Sequence, residues 1–93
     1  MKSKVSSLLD IDIRSIIEGI EAACDINLPR SVREVYLDPE NKLLYIRFQE
    51  PKRIETGEPL PLKSMATLFR DEDTDDITAI EILNVEELLK ELK

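Results

Sequence analysis

Residues 32–48, VREVYLDPENKLLYIRF, decide the fold of this chain of 93 residues. Two apolar, β-prone runs flank the polar group DPENK, and such runs on either side of a short turn-forming group are typical of a β-hairpin. Successive side chains of a strand point to opposite faces. In the second run, Leu44 and Ile46 therefore share one face, while Tyr45 and Arg47 share the other.

The patterns on either side of the hairpin predict two helices and further strands. Apolar residues before the hairpin recur three and four positions apart, which indicates one apolar stripe on a helix. A proline-rich stretch after the hairpin favours a loop, because proline lacks the N–H that a central strand needs. The segments that we predict are a loose lead-in at 1–9, a helix at 12–26, a sheet within 32–83 with strands at 32–37, 43–49, 63–70 and 77–83, a short edge strand at 54–56, and a helix at 85–92.

These segments predict one domain of the α+β class over residues 1–93. We expect an N-terminal helix, a three- to four-stranded antiparallel β-meander and a short C-terminal helix. The connections between the strands are short and hairpin-like, whereas parallel neighbours need crossovers of a dozen or more residues.

Charge and composition limit the class of partner. Hydrophobic residues make up 42% of the chain, which is a globular composition. Asp and Glu number 20 against 13 Lys and Arg, so the net charge of −7 opposes binding to nucleic acid and favours a basic protein partner. A local basic patch would be the exception, and its candidates are Arg30, Arg33, Lys52 and Arg53.

The sequence also predicts a cytoplasmic protein. No stretch approaches the ~20 apolar residues of a membrane span, so we expect no membrane association. The lone Cys24 cannot form an internal disulfide, and MKSKVSSLL is too short an apolar run for a secretory signal. The abundance of Glu, Lys and Ile is a compositional hint of a thermophile.

Few residues are suited to catalysis. The chain has no histidine, which removes the commonest general base near neutral pH and the commonest metal ligand. Cys24 lies on the apolar stripe of the first helix, where burial would make the thiol inert. We therefore expect no enzyme, no catalytic residue, no cofactor and no metal. The alternative is a small metal-binding protein or enzyme that uses carboxylates, with the candidates Asp38, Glu40, Asp71 and Asp73.

The acidic run DEDTDD, residues 71–76, only partly fits a calcium-binding loop. Asp71, Asp73 and Asp75 match the first three ligand positions of such a loop. Asp76 then stands where glycine is needed, and Ile82 stands where the bidentate glutamate belongs. The run is therefore predicted to be an exposed turn.

Both faces of the predicted strands carry apolar residues, and strands of that kind must be covered on both sides. The two helices could each cover one face, or both could cover one face and leave the other for a second subunit. The second arrangement leads us to expect a homodimer. The residues that we predict for this interface are Tyr36, Leu43, Tyr45, Arg47, Ala66 and Leu68. The alternative is ordinary sheet packing, with Arg47 paired to a nearby acid such as Glu34 or Glu81.

VYLDPENKLLYIRF, followed by the acidic turn and ITAIEILN, resembles the small prokaryotic family known as domain of unknown function 2283. The motif of that family is a D-P-E-x-x-x-L-Y-I-R hairpin followed by a second hairpin that ends in G-I-E-I-L. The chain departs from it at Ala79, which replaces the glycine, and in its second turn, which lacks glycine. The resemblance covers residues 32–84 and implies the fold. Some members are thought to be antitoxin-like neighbours of small toxins, so the resemblance implies a role of that kind.

These observations lead us to expect a non-enzymatic, self-associating protein-interaction module. Its expected partners are a second copy and a basic protein.

Overall fold

The computed structural model describes residues 12–92, and the predicted lead-in at 1–9 lies outside this range. The elements run in the predicted order, helix, strands, helix. They are α1 Ile13–Cys24, β1 Glu34–Asp38, β2 Leu43–Arg47, β3 Glu55–Pro59, β4 Ala66–Asp71, β5 Ile77–Ile82 and α2 Val85–Glu91.

The five strands form one antiparallel sheet in the order β1-β2-β5-β4-β3. The α+β class is confirmed, but the sheet has five strands rather than three to four. Its order also departs from a simple meander, because the chain leaves β2 and crosses to the far edge before it returns through β4 to β5. The additional strand β3 overlaps the short edge strand predicted at 54–56 and continues through Gly57 to Pro59. These residues suggest a loop in the sequence, yet an edge strand tolerates them.

Local capping sets the ends of the helices. The Asp12 carboxylate accepts the backbone N–H groups of Arg14 and Ser15 at 3.1 and 3.4 Å, so α1 begins with a satisfied first turn. Asp25 adopts the left-handed conformation with φ of 56° and ends α1 two residues before the predicted boundary. Asn84 caps α2 by accepting the N–H of Glu87 at 3.2 Å.

Both helices pack on the same face of the sheet. Their buried side chains belong to one core together with the apolar side chains of β2, β4 and β5. The helices also approach each other closely, since a Cβ added at Gly19 would lie 2.8 Å from Cδ1 of Leu92. The core residues are Ile16, Ile17, Ile20, Leu28, Leu44, Ile46, Phe48, Leu60, Ala66, Leu68, Ile80, Ile82, Val85 and Leu88.

Candidate interaction surface

The sheet face that points away from the helices is called the outer face here. The strand registers place its side chains in two rows that run across all five strands. The first row is Tyr36, Tyr45, Glu81, Thr67 and Pro59, and the second row is Glu34, Arg47, Ala79, Phe69 and Gly57.

One end of the outer face is apolar and exposed. Tyr36 is 54% exposed, Met65 68% and Leu83 42%. Met65 and Leu83 precede and follow the buried core residues Ala66 and Ile82, so alternation directs them to the outer face. They lie side by side, because the N–H of Leu83 donates to the carbonyl of Met65 at 2.9 Å. Met65 and Leu83 thus form a pair of neighbouring exposed apolar side chains, and Tyr36 adds a third on the same face.

An ion pair closes the other end of the outer face. Arg47 Nη1 lies 3.0 Å from Glu55 Oε1, and the side chains are only 13% and 20% exposed. Arg47 also donates to the Gln49 carbonyl at 3.0 Å and to the Tyr45 hydroxyl, and its guanidinium lies 5.4 Å from the Tyr45 ring centroid. The Thr78 hydroxyl donates to the same Glu55 carboxylate. Among residues 12–92, no buried side-chain nitrogen or oxygen lacks a hydrogen-bond partner.

The partner of Arg47 differs from the two acids that the sequence suggests. Glu34 lies directly across from Arg47, and Glu81 lies diagonally from it, opposite Tyr45. The ion pairs of Arg47 are instead with Glu55 and, at 3.9 Å, with Glu50. Glu55 belongs to β3, three strands away from β2. Ala79 of β5, which pairs with Arg47, is fully buried although it lies on the outer face.

Hydrogen bonding holds both members of the pair in their charged forms. Burial raises the pKa of Glu55, but the hydrogen bonds from Arg47 and Thr78 outweigh it and bring that pKa below its ordinary value. The hydrogen bond to Glu55 raises the pKa of Arg47. Burial raises the pKa of the Tyr45 phenol, so Tyr45 acts here as a neutral hydrogen-bond partner.

The structure divides the predicted interface residues between the two faces. Tyr36, Tyr45 and Arg47 lie on the outer face, and alternation places the half-buried Leu43 there too. Placing Ala66 and Leu68 on this face is wrong. They pair with the core residues Ile82 and Ile80, and they lie buried under the helices.

The residues that β4 contributes to the outer face are Thr67 and Phe69, with Met65 just before the strand. The sequence does not single them out, because β4 is apolar on both sides. Gly57 indicates where the Phe69 side chain lies, because a Cβ added at Gly57 would lie 3.0 Å from Cε1 of the Phe69 ring. The ring therefore leans over the glycine on the neighbouring edge strand.

The acidic turns use their carboxylates to bind their own backbone. Asp71 accepts the N–H groups of Asp73 and Thr74 at 2.8 and 3.3 Å with one oxygen, and that of Lys52 at 2.8 Å with the other. Asp38 caps its own hairpin turn in the same way. Among residues 12–92, no group of three or more carboxylate or thiol side chains could hold a metal ion.

Cys24 and the basic residues are also accounted for by local structure. Cys24 is half-buried, and burial raises the pKa of its thiol, with Glu91 adding to the shift. Arg30 pairs with Glu21 at 3.0 Å and Arg53 with Asp73 at 3.2 Å. Half of the candidate basic patch is thus neutralised by neighbouring acids.

Comparison with known proteins adds no family to this description. No family model matches the chain, and neither a curated protein nor a solved structure does. The resemblance to the family of unknown function therefore stays a prediction. Neither described helix is long and apolar enough to cross a membrane.

Proposed function

We propose that this chain is a non-enzymatic protein-interaction module that associates with a second copy of itself through the outer face. The observation that carries the proposal is the placement of both helices on one face of the sheet, which leaves Tyr36, Met65 and Leu83 exposed on the other. Covering these side chains removes apolar area from water, and that drives association. Tyrosine and methionine are also enriched in protein interfaces.

The size of the face predicts a weak dimer. Five strands of about five residues form a surface roughly 20 Å by 16 Å, so each copy would bury roughly 300–500 Å². A standard interface buries about 800 Å² per partner, and smaller interfaces belong to transient complexes. We therefore expect a dissociation constant in the micromolar range.

Charge determines how this association responds to salt. Two copies that each carry −7 repel each other, and salt screens that repulsion. Self-association through apolar residues should therefore tighten as ionic strength rises. Binding of a basic partner, which an antitoxin-like role would require, should weaken instead.

Analytical ultracentrifugation of two matched variants tests the proposal. Met65→Glu places a charge on the exposed end of the outer face and should abolish the dimer. Ile54→Glu makes the same change at a residue that is 55% exposed in the loop before β3, and it should leave the dimer intact. Equal effects of the two variants, or no effect of either, would exclude the outer face as the interface.

We also propose a cytoplasmic location, which the single cysteine supports. Fractionation of the native cell, with the chain detected by antibody, tests this location. Recovery from a membrane or secreted fraction would contradict it.

A further inference from the structure

The two edge strands of the sheet differ in how far they can accept another strand. β3 contains Pro59, which lacks an N–H, and its Glu58 side chain pairs with Arg70 at 2.7 Å. Proline and charge are the usual protections of a sheet edge. β1 is free of proline, and its central residues Val35 and Tyr36 are exposed.

A groove of about 500 Å³ lies against the inner side of β1. Val35 faces it from β1, where it pairs with the buried core residue Ile46. The groove separates this strand and the segment before it from the first half of α1. The apolar residues that line it are Ile13, Ile17, Pro29, Val32 and Val35, with Arg14, Glu18 and Arg30 at the rim.

We propose that β1 binds an extended segment of a partner protein, which adds to the sheet as a sixth, antiparallel strand. Its apolar side chains enter the groove beside Val35. Its alternate side chains lie on the outer-face side, next to Glu34, Tyr36 and Asp38, where lysine or arginine complements the two acids. The partner is therefore a basic segment in which apolar residues alternate with Lys or Arg.

Charge disfavours a second copy at this edge. The antiparallel register that pairs all five residues of β1 with a second β1 sets Tyr36 against Tyr36 and Glu34 against Asp38. Two pairs of like charges then face each other, which is destabilising. The edge thus prefers a basic strand to its own copy.

NMR titration of the isotope-labelled chain with acetyl-Lys-Val-Lys-Val-Lys-amide tests this site. We expect saturable amide shifts in β1, in Val32 and in the first two turns of α1. Two control peptides distinguish strand addition from nonspecific electrostatic attraction. Acetyl-Glu-Val-Glu-Val-Glu-amide reverses the charge, and acetyl-Lys-Lys-Lys-Val-Val-amide keeps the composition but loses the alternation. Both should bind at least about fivefold more weakly.

Matched protein variants locate the site. Glu34→Lys should weaken binding of the alternating basic peptide at least about fivefold. Glu72→Lys, in the turn after β4, changes the net charge equally, so it should weaken binding only by the general electrostatic effect of that change. Val35→Asp should weaken binding, whereas Ile54→Asp should not. The proposal is overturned if the peptide with three consecutive lysines binds equally well, if the shifts fall on the Asp71–Asp76 turn, or if none occur up to about 5 mM peptide.

Discussion

At the scale of single residues, the Arg47–Glu55 pair joins two strands that are not neighbours. The sequence places Tyr45 and Arg47 on one face of β2, because alternation alone requires it. It does not reveal Glu55 as the partner. That contact depends on where β3 lies in the sheet, which does not follow from local pattern.

Glu55→Gln should destabilise the protein by about 1–3 kcal/mol, because it removes the nearer and less exposed counter-charge of the mostly buried Arg47. Glu81→Gln is the matched control, since Glu81 lies on the same face but makes no ion pair within residues 12–92. Its effect should stay within about 0.5 kcal/mol. Urea unfolding measures both. Equal free energies of unfolding for the two variants would contradict this role of the pair.

The same pair predicts a pH dependence of stability. The pKa of Glu55 lies below its ordinary value of 4.5, so its contribution is complete above that value and is lost as pH falls through the folded pKa. In urea unfolding at several pH values, the free energy of unfolding should fall more steeply with decreasing pH for the unmodified chain than for Glu55→Gln. Parallel curves between pH 6 and pH 3 would show that the carboxylate contributes nothing.

At the scale of elements, α2 is anchored by few side chains. Leu88 is fully buried in the core, whereas Leu89 beside it is only partly buried. Leu88→Ala should cost about 2–5 kcal/mol, because it removes packed atoms and leaves a cavity. Leu89→Ala should cost distinctly less. Thermal or urea unfolding compares them, and a larger loss for Leu89→Ala would mean that α2 is rotated relative to this structure.

The Asp71–Asp76 turn should not respond to divalent cations. Both oxygens of Asp71 already accept backbone N–H groups, and Asp73 pairs with Arg53. We expect no binding heat and no change in melting temperature on titration with Ca²⁺, Mg²⁺ or Mn²⁺. A saturable heat that Asp71→Asn abolishes would revive the metal-binding alternative.

The register of β4 shows where sequence reasoning fails. Residues 65–69, MATLF, are apolar on both faces, so alternation does not tell which side meets the helices. Pairing with β5 decides it, because Ala66 and Leu68 lie opposite Ile82 and Ile80. That pairing depends on tertiary structure and not on local sequence. The prediction therefore assigned the wrong face of β4 to the interface, which corresponds to a shift of one residue along the strand.

At the scale of the whole molecule, the α+β class, both helices and the central hairpin follow from periodicity and turn chemistry. The position of β3 does not, because Gly57 and Pro59 mark a loop as readily as an edge strand. The placement of the helices is also a tertiary property, since both pack on one face and leave the other open. A domain of 93 residues with such a face gains stability by covering it.

Sedimentation equilibrium of the unmodified chain, from about 5 to 200 µM at low and high salt, tests this account most directly. We predict an average mass that rises with concentration toward twice 10.7 kDa, and a dissociation constant that falls as salt is added. A mass that stays at 10.7 kDa over the whole range in both salts would contradict it.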